Sequence, residues 1–304
     1  MELFRHRPIR SGDFAAVLPI LEQDRELFSA ETWTSLPQLL ETLHAKRRIS
    51  GVIIENIAGQ PCFCGVTAFV RPRVAARMAQ AGGFRETLLQ NEAAGTPVLL
   101  SSKALAAANT EGDLALVHLF GCPDNLDFAS PRGFELHRLA FEAFLSHHAG
   151  YRFAELWQEA VNPGAALFVE SMGVPEVRRY GLPSGAEGRL FCFTRADAVT
   201  RPGNPLAVLM KFPSPRLGFT RVQQRLLELA INEVPDRLVA EQLQVTEAAV
   251  KKRWRTIYDR IEQVEQRLAP ADTSGPERRR MLLQYLRQHP EELRPWQLRP
   301  ARPS

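Results

Sequence analysis

FTRVQQRLLELAINEVPDRLVAEQLQVTEAAVKKRWRTIYDRI, residues 219–261, is the stretch where helix signals and apolar spacing agree over the longest run in the chain. Thr220 and Gln223 have the T-x-x-Q spacing of a capping box, and Leu226, Leu229 and Ala230 supply the buried stripe of the helix it opens. That helix is expected to fade near Asn232. Pro235 fits the first turn of a second, short helix whose inner side is Leu238, Val239, Ala240 and Leu243. Thr246 then serves as N-cap of a third helix, with Glu247 at the positive end of its dipole.

At about 100° per residue, Val250, Trp254, Ile257 and Ile261 of the third helix share one sector and must face the other helices. Ala248, Lys251, Lys252 and Arg255 fall opposite, with Thr256 at their margin. Such a cationic face is most often only a solvated one. Three consecutive helices with a short turn before the last are, however, the arrangement in which a scaffold helix braces a recognition helix, and Lys and Arg suit guanine edges and phosphates.

The same residues resemble the C-terminal DNA-binding domain of LuxR-type regulators, a helix-turn-helix. The resemblance runs through Thr220, Leu227, Leu229, Val239, Ala240, Leu243, Val245, Thr246, Glu247, Ala248, Val250, Lys251, Ile257, Tyr258 and Ile261. It implies DNA contact by Thr246, Glu247, Ala248, Lys251, Lys252, Arg255 and Thr256, and a phosphate contact by Arg237. Gln223, Glu233 and Ala249 depart from the usual glutamate, glycine and hydroxyl residue, and Trp254 is bulkier than the usual leucine. With Glu233 in place of glycine, the turn after the first helix lacks an easy left-handed residue and is expected to be longer or strained.

Outward from this segment, residues 199–218 (VTRPGNPLAVLMKFPSPRLG) hold four prolines and two glycines, which predicts a linker over 199–216. APADTSGPE, residues 269–277, separates residues 217–268 from a C-terminal helix and tail, 269–304. Arg278, Arg279 and Arg280 crowd that helix's first turn against the dipole, so an acidic neighbour or an anion is expected beside them; a phosphate contact and a solvated cap are equally weighted readings. Residues 1–215 carry 21 Lys+Arg against 22 Asp+Glu, residues 216–304 carry 17 against 12, and the basic excess therefore lies in the C-terminal third. A polyanion partner would select that distribution. Four cysteines without a CxxC pair, and no apolar leader, point to a reducing cytoplasm, and no stretch is long enough to span a membrane.

Residues 1–198 read as alternating α and β. Gly12 and Asp13 precede a helix, Ser35 is expected to cap a second, and strands are expected over 50–57, 62–70, 114–120, 151–158, 177–180 and 189–193. Helices are expected over 133–148 and 162–173; residues 71–113, with AGG and EAAGT, read as a variable stretch. This order is similar to the GNAT acyltransferase fold, and IRSGDFAAVLPIL and NPGAALFVESMGV look like its opening and closing segments. The resemblance implies a mixed sheet flanked by helices and an acyl-CoA pyrophosphate loop at FASPRGFELHR, residues 128–138. There only Arg132 and Gly133 are in place, which makes a weak phosphate cradle. Cys62, Cys64, Cys122 and Cys192 are expected as buried small hydrophobes rather than a metal site. His137, His147 and His148 are expected at the surface or a helix terminus, and Tyr151, Trp157 and Phe191 in the core.

The expectation from sequence is therefore an α/β domain joined to an all-α helix-turn-helix domain, acting as a transcription regulator with no catalytic or metal residues. The expected partners are double-stranded DNA, a second copy of the chain in a homodimer, and a small-molecule effector, for which acetyl-CoA or another acyl-CoA is a candidate. The alternative is an acyl-CoA-dependent N-acyltransferase fused to the helical module, tethered by it to DNA or to a protein.

Overall fold

The sheet of the protein is strongest where the sequence is most apolar: Pro61–Val70 is buried along nearly its whole length and becomes a central strand. The computed structural model describes residues 4–123, 130–182, 185–268, 270 and 273–297. The chain divides into two units, residues 1–148 with 152–211, and residues 212–304 with 149–151.

The first unit is a seven-stranded sheet formed by β1 (Phe4–Pro8), β2 (Ile49–Asn56), β3 (Pro61–Val70), β4 (Leu114–Pro123), β5 (Phe153–Ala160), β6 (Glu176–Gly181) and β7 (Glu187–Thr194). Its order is β1-β2-β3-β4-β5-β7-β6, and every neighbouring pair is antiparallel except β4 and β5. A parallel pair needs a crossover, and α6 (Pro131–His148) supplies it. One face carries α1 (Asp13–Leu21), α2 (Ala30–Ala45), α3 (Pro72–Met78) and α4 (Phe84–Ala93), whose Phe14, Leu21, Leu36, Phe84 and Leu88 join Ile53, Val66, Val117 and Trp157 in one core. Behind the other face Leu136 and Ala140 of α6 pack on Ile54 and Phe63. The unit also contains α5 (Ser102–Glu111), α7 (Pro163–Ser171) and α8 (Arg195–Thr200).

Several expectations are corrected here. The second helix is capped by Ser29, whose side chain accepts from the Thr32 amide, and Ser35 lies inside it, bonded to the carbonyls of Glu31 and Thr32. Residues 71–113 hold α3, α4 and α5: their glycines mark helix ends, with Gly83 at φ 89 before α4 and Gly112 at φ 69 after α5. The Pro-rich stretch 199–211 is part of the first unit, because Asn204 caps a 3-10 turn, Pro205–Met210, that buries Leu206, Ala207 and Leu209.

In the second unit, α9 (Arg221–Ile231), α10 (Asp236–Gln242), α11 (Glu247–Val264) and α12 (Gly275–Gln288) share one core of Leu226, Leu227, Val239, Val250, Trp254, Ile257, Ile261, Leu282 and Leu286. The Thr220–Gln223 capping box is formed in both directions, and Thr246 caps α11 through the Ala249 amide. Glu233 takes up the left-handed conformation, φ 60, where a glycine would be unstrained. α12 belongs to this core and is no separate tail. Arg278 lies 4.5 Å from the Tyr258 ring and pairs with Glu262, while Arg279 lies 4.4 Å from the Trp254 ring and pairs with Asp236. These two arginines are therefore struts within the unit, offset by the acidic neighbours their placement called for. No helix among the described residues is long and apolar enough to cross a membrane.

Candidate active site: a wedge in the sheet

The parallel pair β4–β5 is short. Its register runs from Leu114↔Phe153 to His118↔Gln158, after which β4 continues only against β3 and β5 only against β7. The cause of the parting lies on β4. Val66 pairs with Phe120 and Thr67 with His118, so Leu119 is an extra residue, a bulge that bends the strand away from its neighbour.

Arg85 bridges the opening. Its guanidinium donates to the Leu119 carbonyl of β4, to Glu159 of β5 (Nε to Oε2 3.2 Å) and to Asp24 (2.6 Å). Arg85 is 2% exposed and Glu159 3%. Glu159 also accepts from the amides of Phe84 (2.6 Å) and Arg85 (3.0 Å), which caps the N-terminus of α4. Burial holds the Glu159 carboxyl above the usual carboxylate range, against the opposing pull of Arg85 and the two amides. The residues one step beyond the last strand pair, Leu119 and Glu159, are thus tied to each other through one buried cation.

On the α6 and α7 side the wedge leads into a cavity of about 120 Å3. Its floor is glycine: Gly51, Gly65 and Gly121 lie on three adjacent strands, with Gly65 paired to Gly121 and Gly51 next to it in register. A Cβ on Gly51 would lie 2.3 Å from the Gly65 carbonyl oxygen, and one on Gly121 would lie 2.3 Å from the His118 ring. The roof and ends are Ala140, Phe141 and Phe144 of α6, Ala165, Phe168 and Met172, and Leu206.

Polar groups in the wall are bonded to protein. His148 Nδ1 lies 2.7 Å from the Phe144 carbonyl, which can only accept, so Nε2 accepts from the Thr67 hydroxyl at 2.9 Å. His147 Nε2 meets Ser50 Oγ at 3.1 Å, and His137 Nδ1 donates to the Gly133 carbonyl at 2.7 Å. His118, half-buried, is hydrogen-bonded to Gln158, and burial pushes its imidazole below the ordinary histidine value, so it is neutral at neutral pH. A neutral imidazole beside the wedge is able to accept a proton.

His147 and His148 stand in the last turn of α6, the helix terminus the sequence reading gave them, but with His137 they line the cavity and not the open surface, because α6 lies across the sheet and turns them toward it. Arg132 stacks over the Phe4 ring at 5.6 Å and reaches Cys62 Sγ at 3.5 Å, while the Gly133 amide donates to Ser130 Oγ. The first turn of α6 is thus capped by its own chain. Phe128 and Ala129 of the FASPRGFELHR loop lie outside the described residues. Cys62, Cys64 and Cys192 are buried, and desolvation pushes the Cys64 thiol up to about 12; the Cys122 side chain is outside what is described. Trp157 and Phe191 are core residues, as is Tyr151. Arg237, Thr246, Glu247, Ala248, Lys251, Lys252, Arg255 and Thr256 are exposed around α10 and α11, where Arg237 pairs with Glu241 and Thr256 accepts from Gln223. Sequence reasoning missed Arg85, Glu159, His118, Gln158 and the three glycines, none of which has a local signal.

No protein-family model matches the chain, and no curated protein does. Solved structures are similar to it at low identity. The spermidine/spermine N-acetyltransferase SpeG from Vibrio cholerae, in mutant forms, is 9% identical over 66% of this chain and 98% of its own, with a TM-score of 0.38. The polyamine N-acetyltransferase of Drosophila melanogaster is 11% identical over 63% and 100%, TM-score 0.39. The ribosomal-protein-S18-alanine N-acetyltransferase of Escherichia coli is 12% identical over 63% and 94%, TM-score 0.37. The likeness is one of fold alone, over about two thirds of the chain, where this protein has a mixed seven-stranded sheet flanked by helices. The expectation of a transcription regulator is corrected to the extent that these comparisons give it no support: the similar structures named are N-acetyltransferases.

Proposed function

We propose that the first unit is an acyl-CoA-dependent N-acyltransferase whose acyl thioester enters the wedge between β4 and β5. The observation that carries this reading is the parting of the two strands after His118 and Gln158 into a cavity roofed by α6 and α7. In the transfer, the acceptor amine nitrogen attacks the thioester carbonyl carbon, the C–S bond breaks, and the CoA thiol leaves. His118 is the group placed to take the amine's proton, and Arg85 and Glu159 hold the strand ends at a fixed separation.

Acetyl-CoA titrated into the full chain in a calorimeter is expected to give saturable heat. Free thiol should then appear only when an amine is supplied; spermidine, agmatine and a peptide with an N-terminal alanine are the first acceptors to offer. Absence of heat at millimolar concentrations of acetyl-CoA and of longer acyl-CoA thioesters alike would remove the reading.

For the second unit, the exposed face of α11 supports a duplex DNA tether. Lys251, Lys252 and Arg255 are exposed and have no ion pair among the described residues, and Arg237, Thr246, Glu247, Ala248 and Thr256 flank them. Failure of the chain to shift any duplex at low salt would remove the tether and leave the acyltransferase reading untouched.

A further inference from the structure

The cavity lining indicates what part of a thioester it would hold. Four histidines and a threonine in the wall look polar in sequence, yet their bonds are made within the fold: Thr67 to His148, His148 to the Phe144 carbonyl, His147 to Ser50, His137 to the Gly133 carbonyl and His118 to Gln158. A polar guest would have to compete with these bonds. The rest of the wall is mostly apolar, with Leu116, Phe141, Phe144, Phe168 and Met172 over the floor of Gly51, Gly65 and Gly121. The space is about 120 Å3, somewhat below the roughly 150 Å3 that admits a benzene ring and far above the roughly 10–15 Å3 that a single water requires.

We propose, resting on the acyltransferase reading above, that this cavity receives the hydrocarbon end of an acyl group of about four or five carbons, so that the preferred donor is a short-chain acyl-CoA and not acetyl-CoA. The methyl of an acetyl group leaves most of the volume empty. A chain of ten carbons exceeds it.

The test is a calorimetric series on the full chain with acetyl-, butanoyl- and decanoyl-CoA, repeated on Ala140→Leu, which fills the cavity from α6, and on Ala165→Leu, which fills it from α7. Each methylene moved from water into an apolar wall tightens binding about fourfold, so butanoyl-CoA should bind about fifteenfold tighter than acetyl-CoA, with no further gain for decanoyl-CoA. In the filled variants the ratio of butanoyl- to acetyl-CoA affinity should fall to about one or below, whatever the absolute affinities; circular dichroism identifies which variant is folded, and either suffices. Equal affinities across the series in the parent overturn the proposal and leave the acyltransferase reading standing. A preference that persists in a folded filled variant overturns the placement of the chain in this cavity. No heat with any thioester removes the acyltransferase reading itself.

Discussion

Replacing Arg85 with methionine removes the cation that spans the wedge while keeping most of the side-chain volume. The partners left behind are Glu159, 3% exposed, and Asp24. Breaking a buried ion pair by removing one member costs about 3–5 kcal/mol, because the other charge stays buried and uncompensated. For a unit of this size that corresponds to a Tm lowered by roughly 6–20 °C. The pH dependence has a definite sign. The Glu159 carboxyl is raised above its unfolded value by burial, so its contribution to stability is present at low pH and is lost as pH rises through the folded pKa. Without Arg85 that pKa rises further, so the penalty of Arg85→Met shrinks as pH falls toward the ordinary glutamate value, where the unfolded carboxyl also begins to take up its proton, and grows toward pH 7.5. Glu159→Gln added to Arg85→Met keeps an acceptor for the Phe84 and Arg85 amides without the charge, and should recover at least half of the loss at pH 7.5. Urea denaturation of the parent, the single and the double variant at pH 5 and pH 7.5 measures all of this. A penalty below about 1 kcal/mol at pH 7.5, or one that does not shrink at pH 5, refutes the strut.

Three other outcomes follow from named residues. His118→Ala should lower kcat by roughly 10^2–10^4 with the KM for the thioester little changed, and any rise of the parent's activity with pH that this ring controls should lie below 6.5, because burial lowers the His118 pKa and only the neutral ring accepts a proton; a rise centred above 6.5 that is lost in His118→Ala contradicts this. The triple variant Lys251→Ala, Lys252→Ala, Arg255→Ala should reduce the slope of log affinity for duplex DNA against log salt by about 2.7, near 0.9 for each phosphate no longer neutralised, as read by fluorescence anisotropy. Glu233→Gly should stabilise the chain by about 1 kcal/mol in thermal or urea denaturation, since the left-handed conformation at φ 60 suits glycine.

What the sequence disclosed was local. The Thr220–Gln223 capping box and the inward sector of α11 depend on neighbours within four positions, and both stand as read. β1 was missed because FRHRP is an edge strand with no apolar alternation, and the helices within 71–113 because their bounding glycines look like loop residues. The Arg278 and Arg279 partners, Glu262 and Asp236, sit on other helices, so a charge run in sequence gave no hint of its stacking on Tyr258 and Trp254. The site was the least legible part. Arg85 meets a glutamate 74 residues away, and the glycine floor is assembled from three strands. Their alignment depends on the bulge at Leu119, a feature of strand register that no residue type announces.

Hydrogen exchange on the full chain, with and without saturating butanoyl-CoA, tests the wedge most directly. Bound thioester should slow exchange in β4, β5 and the facing turns of α6 and α7, and leave α9 to α12 at their free rates. Unchanged exchange along β4 and β5, with protection confined to the helical unit, would contradict the placement of acyl-CoA in the first unit.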